Sequence, residues 1–204
     1  MSQQVRQKLR PSRAETKAAT RKLLLDSART EFTSVGYHGA TLDDIAARAG
    51  FTKGALYWHF ANKQAIFLAL IGEAIEHNLK TIDAIITADS DPAAIRQRLG
   101  EWIDGIDDRE ALPQFGVELE IEARRDSSFR EIHQAMIGKH ELALGGFLER
   151  YFAAVGETPM FPIAELTAML ITIFKGFALC RQNRPDGPAT SGKVVRILLD
   201  MSIA

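Results

Sequence analysis

Residues 41–60 read TLDDIAARAGFTKGALYWHF, two short amphipathic segments that meet at Gly50. Thr41 stands where a helix N-cap is expected. Asp44, three residues on, completes a capping-box pattern, and Asp43 also favours the positive end of a helix. Leu42, Ile45, Ala46 and Ala49 recur at helical spacing and form an inner face. Gly50 permits a sharp turn, and Thr52 is a second N-cap candidate for a helix running to His59. That helix is followed closely by Phe60 and carries Lys53, Tyr57, Trp58 and His59, more large polar and aromatic groups than packing requires.

Outward from this stretch the chain continues as helices. Leu24, Ala28, Phe32 and Val35 recur at helical spacing between Thr16 and Val35, with Leu25 widening the stripe. Gly36 ends that helix, and GYHG (36–39) forms the link. Asn62 is expected to cap a fourth helix from Lys63 to Thr87, roughly 37 Å long at ~1.5 Å per residue and able to join two domains. Further helical patterns fall at 92–107, 110–126, 129–154, 162–183 and 190–202, separated at Pro92, Pro113, VGETPMFP and RPDGPATSG. No segment alternates as a strand does, so the fold class is all-α. The expected organisation is a flexible basic arm (1–15), a three-helix domain with the two short helices (16–62), and a helical domain (63–204) entered through the long fourth helix.

Of the 204 residues 46% are apolar, ordinary for a folded chain. The net charge of −1 hides an asymmetry: residues 1–63 hold eleven Lys/Arg against five Asp/Glu, and the remainder fourteen against twenty-one. An anion-binding front end and an acidic body follow. One cysteine, Cys180, excludes an intrachain disulfide framework and suits a reducing cytoplasm; in its apolar helix it reads as an inert buried thiol. MSQQVRQKLRPSR has no apolar run behind it and is no secretory signal. The apolar stretch 163–180 is interrupted by Glu165 and Lys175, which makes it a core or interface helix rather than a membrane span. As an interface helix it would pack on its copy in a homodimer, with 141–152 as partner, where Gly145 and Gly146 allow close approach.

Two short helices joined by a tight glycine turn form a helix-turn-helix, whose second helix can enter a major groove ~12 Å wide. Small residues at the start of that helix, Gly54 and Ala55, let the backbone approach DNA, and Ala55 can meet a thymine methyl. Thr52 suits a phosphate at a helix N-terminus, and Lys53 can reach a phosphate or a base edge. Tyr57 and His59 can donate to phosphates, and Lys63 faces the same strand. Plainer roles stand beside these. Leu56 and Phe60 read as core, Thr41 and Thr52 are caps worth ~1 kcal/mol whatever else they do, a lone His59 fits a packing role, and Trp58 is undecided between core and surface.

The segment TRKLLLDSARTEFTSVGYHGATLDDIAARAGFTKGALYWHFANKQAIFLAL resembles the N-terminal domain of the TetR/AcrR family of bacterial transcriptional regulators. The resemblance is carried by Ala28 and Phe32, Gly36-Tyr37 and Thr41, Ile45-Ala46, Ala49-Gly50, Gly54, Leu56-Tyr57, His59-Phe60 and Lys63. Phe51 replaces the commonest Val, Thr52 a frequent Ser, and Ala65-Ile66 an acidic residue and Leu. The resemblance implies phosphate contacts at Thr41, Thr52, Tyr57, His59 and Lys63, and a groove-facing Lys53, Gly54 and Ala55. It also implies a homodimer on a palindromic double-stranded DNA operator, mostly as a repressor, released by a small-molecule effector. Arg6, Lys8, Arg10 and Arg13 could follow phosphates or simply solubilise the arm.

The body matches no closer motif. A pocket is expected between helices of a bundle, with Trp102, Phe115, Glu118, Glu122, Phe129, His133, Met136, Ile137, His140 and Phe174 as candidate walls. The acidic body slightly favours neutral or cationic effectors. Glu118, Glu122 and His133, with His77 or His140, could suggest a metal or general-acid site, but H-E-x-x-H and paired Glu-x-x-His motifs are absent, as are a phosphate loop and a serine elbow. No catalytic residue, cofactor, metal or membrane partner is therefore expected. The competing reading is a helical dimeric protein-interaction module without sequence-specific DNA binding.

Overall fold

The computed structural model describes residues 12–88, 90–106, 112–181 and 191–201. Arg6, Lys8 and Arg10 of the expected arm, and most of RPDGPATSG, lie outside the described residues. The chain divides into two compact units, Met1–Leu70 and Ile71–Ala204.

In the first unit, α1 (Arg13–Gly39), α2 (Leu42–Arg48) and α3 (Lys53–His59) are joined by the opening turns of α4 (Lys63–Thr87). Helix α1 starts ahead of the expected Thr16 because Ser12 and Glu15 form a capping box: the Ser12 hydroxyl accepts from the Glu15 amide at 3.2 Å, and the Glu15 carboxylate accepts from the Ser12 amide at 2.6 Å. Gly36, at φ 73°, breaks the helix, and one further turn runs on to Gly39. That break ends the apolar stripe at Phe32. Val35, expected in the stripe, is half-exposed. Phe32 meets Phe67 edge-on at 5.1 Å, and Tyr37 lies 4.9 Å from Phe67.

Thr41 caps α2, accepting from the Asp44 amide at 3.1 Å and donating to its carboxylate at 2.5 Å. The tight turn is a Schellman ending. Gly50 takes a left-handed φ of 76° that only glycine adopts without strain, its amide donates to the Ala47 carbonyl, and the Phe51 amide donates to the Ala46 carbonyl at 2.9 Å. Ile45, Ala46, Leu56 and Phe60 are buried, whereas Leu42 and Ala49 are only partly so. Glu31 of α1 is buried and bound by Arg48 of α2 at 3.1 Å, which fixes the crossing of the two helices. Asn62 caps α4 through the Ala65 amide at 2.8 Å. The unit boundary falls inside α4 because Ile66, Phe67 and Leu70 are buried in the first core.

The second unit comprises the rest of α4 with α5 (Pro92–Asp104), α6 (Leu112–Arg125), α7 (Ser127–Val155), α8 (Ile163–Arg181) and α9 (Ser191–Met201). Asp91 and Asp126 cap α5 and α7, and Gly156, at φ 71°, ends α7. Helix α7 packs on α6 and α8, while α9 packs on α5 and α8. Ile82, Leu99, Leu148, Phe152, Leu166 and Val195 meet in one core. Gly192 is required at the α5–α9 contact, since a Cβ there would overlap the Ile103 carbonyl.

Helix α8 buries Leu166, Thr167 and Leu170 but exposes Met169, Leu179 and Cys180. It is therefore not a fully enclosed core helix. The expectation of a buried thiol is corrected: Cys180 is exposed near the C-terminal end of α8. Gly145 sits against α8 of the same chain, where a Cβ would meet the Thr167 hydroxyl at 3.5 Å.

Candidate nucleic-acid interface and ligand cavity

Helix α3 is amphipathic in the sense needed to present a surface. Leu56 is fully buried, while Thr52, Lys53, Gly54, Tyr57 and Trp58 are exposed. Thr41 is exposed, and Ala55, His59 and Lys63 are partly buried. Thr52 takes the Ala55 amide at 3.3 Å, so its hydroxyl cap and the adjoining backbone amides stand at one exposed helix end. A Cβ on Gly54 would have only the Thr52 hydroxyl as neighbour, at 3.9 Å. Nothing within the protein requires that position to be glycine.

The expected contact residues differ in their freedom. Lys53 binds Asp43 of α2 at 2.8 Å, and this hydrogen bond and charge pairing raise its pKa. The pair is exposed, so in water it holds only loosely. Lys63 is engaged differently. Its ammonium donates to the carbonyls of Tyr37 at 2.7 Å and Ala40 at 2.9 Å and lies 4.6 Å over the Tyr37 ring. It thus closes the end of α1, a structural task that the sequence reading did not assign to it.

Burial, then the charges of Lys17 and Arg21, lower the pKa of His59, whose Nδ1 is buried with no hydrogen-bond partner. Burial and the two neighbouring cations thus disfavour the protonated form of the ring. Trp58 is resolved as surface, 68% exposed, with Lys17 of α1 4.5 Å over its ring. Arg21 lies one turn along α1, over Phe60 at 4.4 Å. Sequence reasoning missed Lys17 and Arg21, although their i,i+4 spacing puts both on one face of α1.

The second unit encloses a cavity of about 160 Å³ between its helices. Of the candidate walls, Trp102, His133, Met136, Ile137, His140 and Phe174 line it. Phe115 and Phe129 are instead buried in packing, and Glu118 and Glu122 are not among the lining residues. Glu122 is buried and pairs with Arg125 at 3.7 Å. The walls also include Asn78 and Lys175, which the sequence reading passed over. A lone lysine in the apolar run 166–180 was the available signal for Lys175, because burying a charge needs a partner. That partner is Glu120, at 2.9 Å, whose pKa is lowered first by the Lys175 hydrogen bond. Among the described residues no group of three or more His, Cys, Asp or Glu is placed to hold a metal ion, and no helix is long and apolar enough to cross a membrane.

Residues 24–70 match the family described as bacterial regulatory proteins, tetR family. Over 62 residues the chain is 44% identical to the uncharacterized HTH-type transcriptional regulator TtgW of Pseudomonas putida, covering 30% of this chain and 46% of the relative. Residues 24–70 are thus a helix-turn-helix segment of the TetR type. A second match, to the HTH-type transcriptional repressor BepR of Brucella suis, is 42% identical over 66 residues, 32% of this chain and 31% of the relative. The chain thus spans less than half the length of these curated relatives. Across nearly the whole chain the likeness is one of fold. The crystal structure of FadR from Bacillus subtilis in complex with stearoyl-CoA aligns over 90% of this chain and 97% of its own with TM-score 0.67 and 16% identity. Both of these relatives in sequence are named as HTH-type transcriptional regulators.

Proposed function

We propose that this chain is a ligand-responsive repressor of the TetR family that binds a palindromic DNA operator as a homodimer and releases it when a small molecule enters the second unit. The observation that carries this reading is the division of α3, with Leu56 in the core and Thr52, Lys53, Gly54 and Tyr57 on the surface. Thr41, Thr52, Tyr57, His59 and Lys63 are assigned to phosphates, and Lys53, Gly54 and Ala55 to the groove. Two-fold symmetry follows from the reach of one short helix, which reads only a few base pairs. The half-exposed apolar residues of α8, Met169 and Leu179, with the exposed Leu142 of α7, are assigned to the dimer contact. Repression is supported by the name of the Brucella relative, and ligand response by the apolar cavity and by the acyl-CoA in the Bacillus structure. The proposed domain plan is the basic arm, 1–15, the DNA-binding domain, 16–62, and the effector and dimer domain, 63–204. The site of action is the cytoplasm, where the chromosome lies.

Helix α4 offers a route for the response, because Phe67 belongs to the first core and Ile75 to the cavity wall. The test is binding to duplexes drawn from the DNA flanking its own coding sequence, titrated at several salt concentrations, with sedimentation of the free protein. Salt-dependent binding of a dimer with preference for one duplex is expected. Binding indifferent to sequence and salt, or a monomer at micromolar concentration, would overturn the reading.

A further inference from the structure

Along α4 the cavity of the second unit is lined by Ile75, Leu79 and Ile82 with the polar Asn78 among them, and its ionisable lining residues are Lys175, His133 and His140. Lys175 lines the cavity and binds the Glu120 carboxylate at 2.9 Å, while Arg124, 79% exposed, binds the same carboxylate at 3.3 Å; Glu120 itself is not among the lining residues, so the charged side chain that the cavity meets is Lys175. Burial lowers the pKa of both His133 and His140; Lys175 lowers both as well, opposed by Glu120 at His133 and by Glu141 at His140. The Nε2 of His133 is buried and has no hydrogen-bond partner. A buried polar nitrogen left in that state is costly, and a ligand group that reaches it recovers the loss. The cavity borders the groove between α4 and α7, with which it shares Ile75, Leu79, Met136 and His140 as walls.

We propose that this cavity, read as above as the effector site, takes a single-chain amphiphile with a carboxylate-type anionic head, the head meeting Lys175 and His133 and the chain lying against Ile75, Leu79 and Ile82. The acidic balance of the body as a whole suggested neutral or cationic ligands. Local charge overrides it, because a cation within a low-dielectric cavity acts far more strongly than screened surface carboxylates.

The test is calorimetric titration of the full chain, without DNA, with decanoate, decan-1-ol and decyltrimethylammonium below their micellar concentrations. Decanoate is expected to bind once per chain and decyltrimethylammonium not to bind. Lys175→Met should weaken decanoate by about tenfold or more, the loss of a charge-assisted hydrogen bond, and leave decan-1-ol unchanged. Glu120→Gln, which frees Lys175 from its carboxylate, should tighten decanoate. No decanoate binding, equal binding of the cationic probe, or decanoate affinity indifferent to Lys175→Met overturns the assignment. If Lys175→Met does not fold, as read by circular dichroism, Glu120→Gln decides: tighter binding supports the assignment, and unchanged or weaker binding overturns it. Decanoate that binds without releasing DNA keeps the ligand class and removes the effector role.

Discussion

Gly54→Ala separates the needs of the fold from those of the DNA surface. The residue lies one position inside α3, its φ is not positive, and a methyl placed there meets only the Thr52 hydroxyl, at 3.9 Å, an ordinary van der Waals contact. Alanine is preferred over glycine in a helix interior by ~1 kcal/mol, and about half of that is expected so near an end. For a unit of this size the gain raises Tm by roughly 2–4 °C if the unit melts on its own. The same methyl projects from the surface assigned to the groove. An affinity loss of about tenfold, equivalent to ~1.4 kcal/mol, is expected if the α3 backbone approaches DNA closely. Thermal melts by circular dichroism and anisotropy titrations of a labelled duplex measure the two effects on one protein. A higher Tm with unchanged affinity would refute the close approach of α3. A lower Tm would refute the claim that the fold is indifferent to this position.

Arg48→Ala leaves Glu31 buried between α1 and α2 without its cation, and because Arg48 is half-exposed the expected cost is about 1–2 kcal/mol, read by urea unfolding. Lys63→Ala should destabilise the first unit by about 1–3 kcal/mol through the lost carbonyl contacts and also lower the salt slope of DNA binding by ~1. An unchanged slope with lost stability would leave Lys63 a purely structural role. Tyr57→Phe should weaken binding across sequences without changing stability, since the side chain is half-exposed. Burial holds the pKa values of His133 and His140 below 6.5; Lys175 lowers both further, against Glu120 at His133 and Glu141 at His140. As pH falls below about 6.5 the unfolded chain therefore takes up protons that the folded chain refuses, and stability present at neutral pH is lost until the folded values are reached. Urea midpoints at about pH 7.5 and 5.5 should show this decline, and His140→Gln should reduce it.

Much of the architecture is set by local chemistry and was open to reading from residues alone. Caps at Thr41, Thr52 and Asn62, the turn at Gly50 and the stripe through Leu24, Ala28 and Phe32 act within a few residues of one another, so their pattern survives in one dimension. The resemblance at residues 24–70 has the same origin, for a helix-turn-helix is a short contiguous unit. The surface of α3 followed from the burial of Leu56 and Phe60, which spacing anticipates.

What spacing does not carry is the identity of partners distant in sequence. Trp58 could be placed only once α1 lay beside α3 with Lys17 over its ring. Lys63 reads as a free cation until the carbonyls of Tyr37 and Ala40, more than twenty residues earlier, are seen around its ammonium. Cys180 reads as buried until the end of α8 is seen to leave it exposed. The cavity shows the difference most fully. Phe115 and Phe129 carry the same apolar signal as Phe174, yet they fill packing while Phe174 lines open space. The positive charge within belongs to Lys175, whose pairing with Glu120 spans two helices. Helix type and capping are thus written in neighbouring residues, whereas the side of each helix that meets a partner, and the charge it meets there, exists only once the helices have packed.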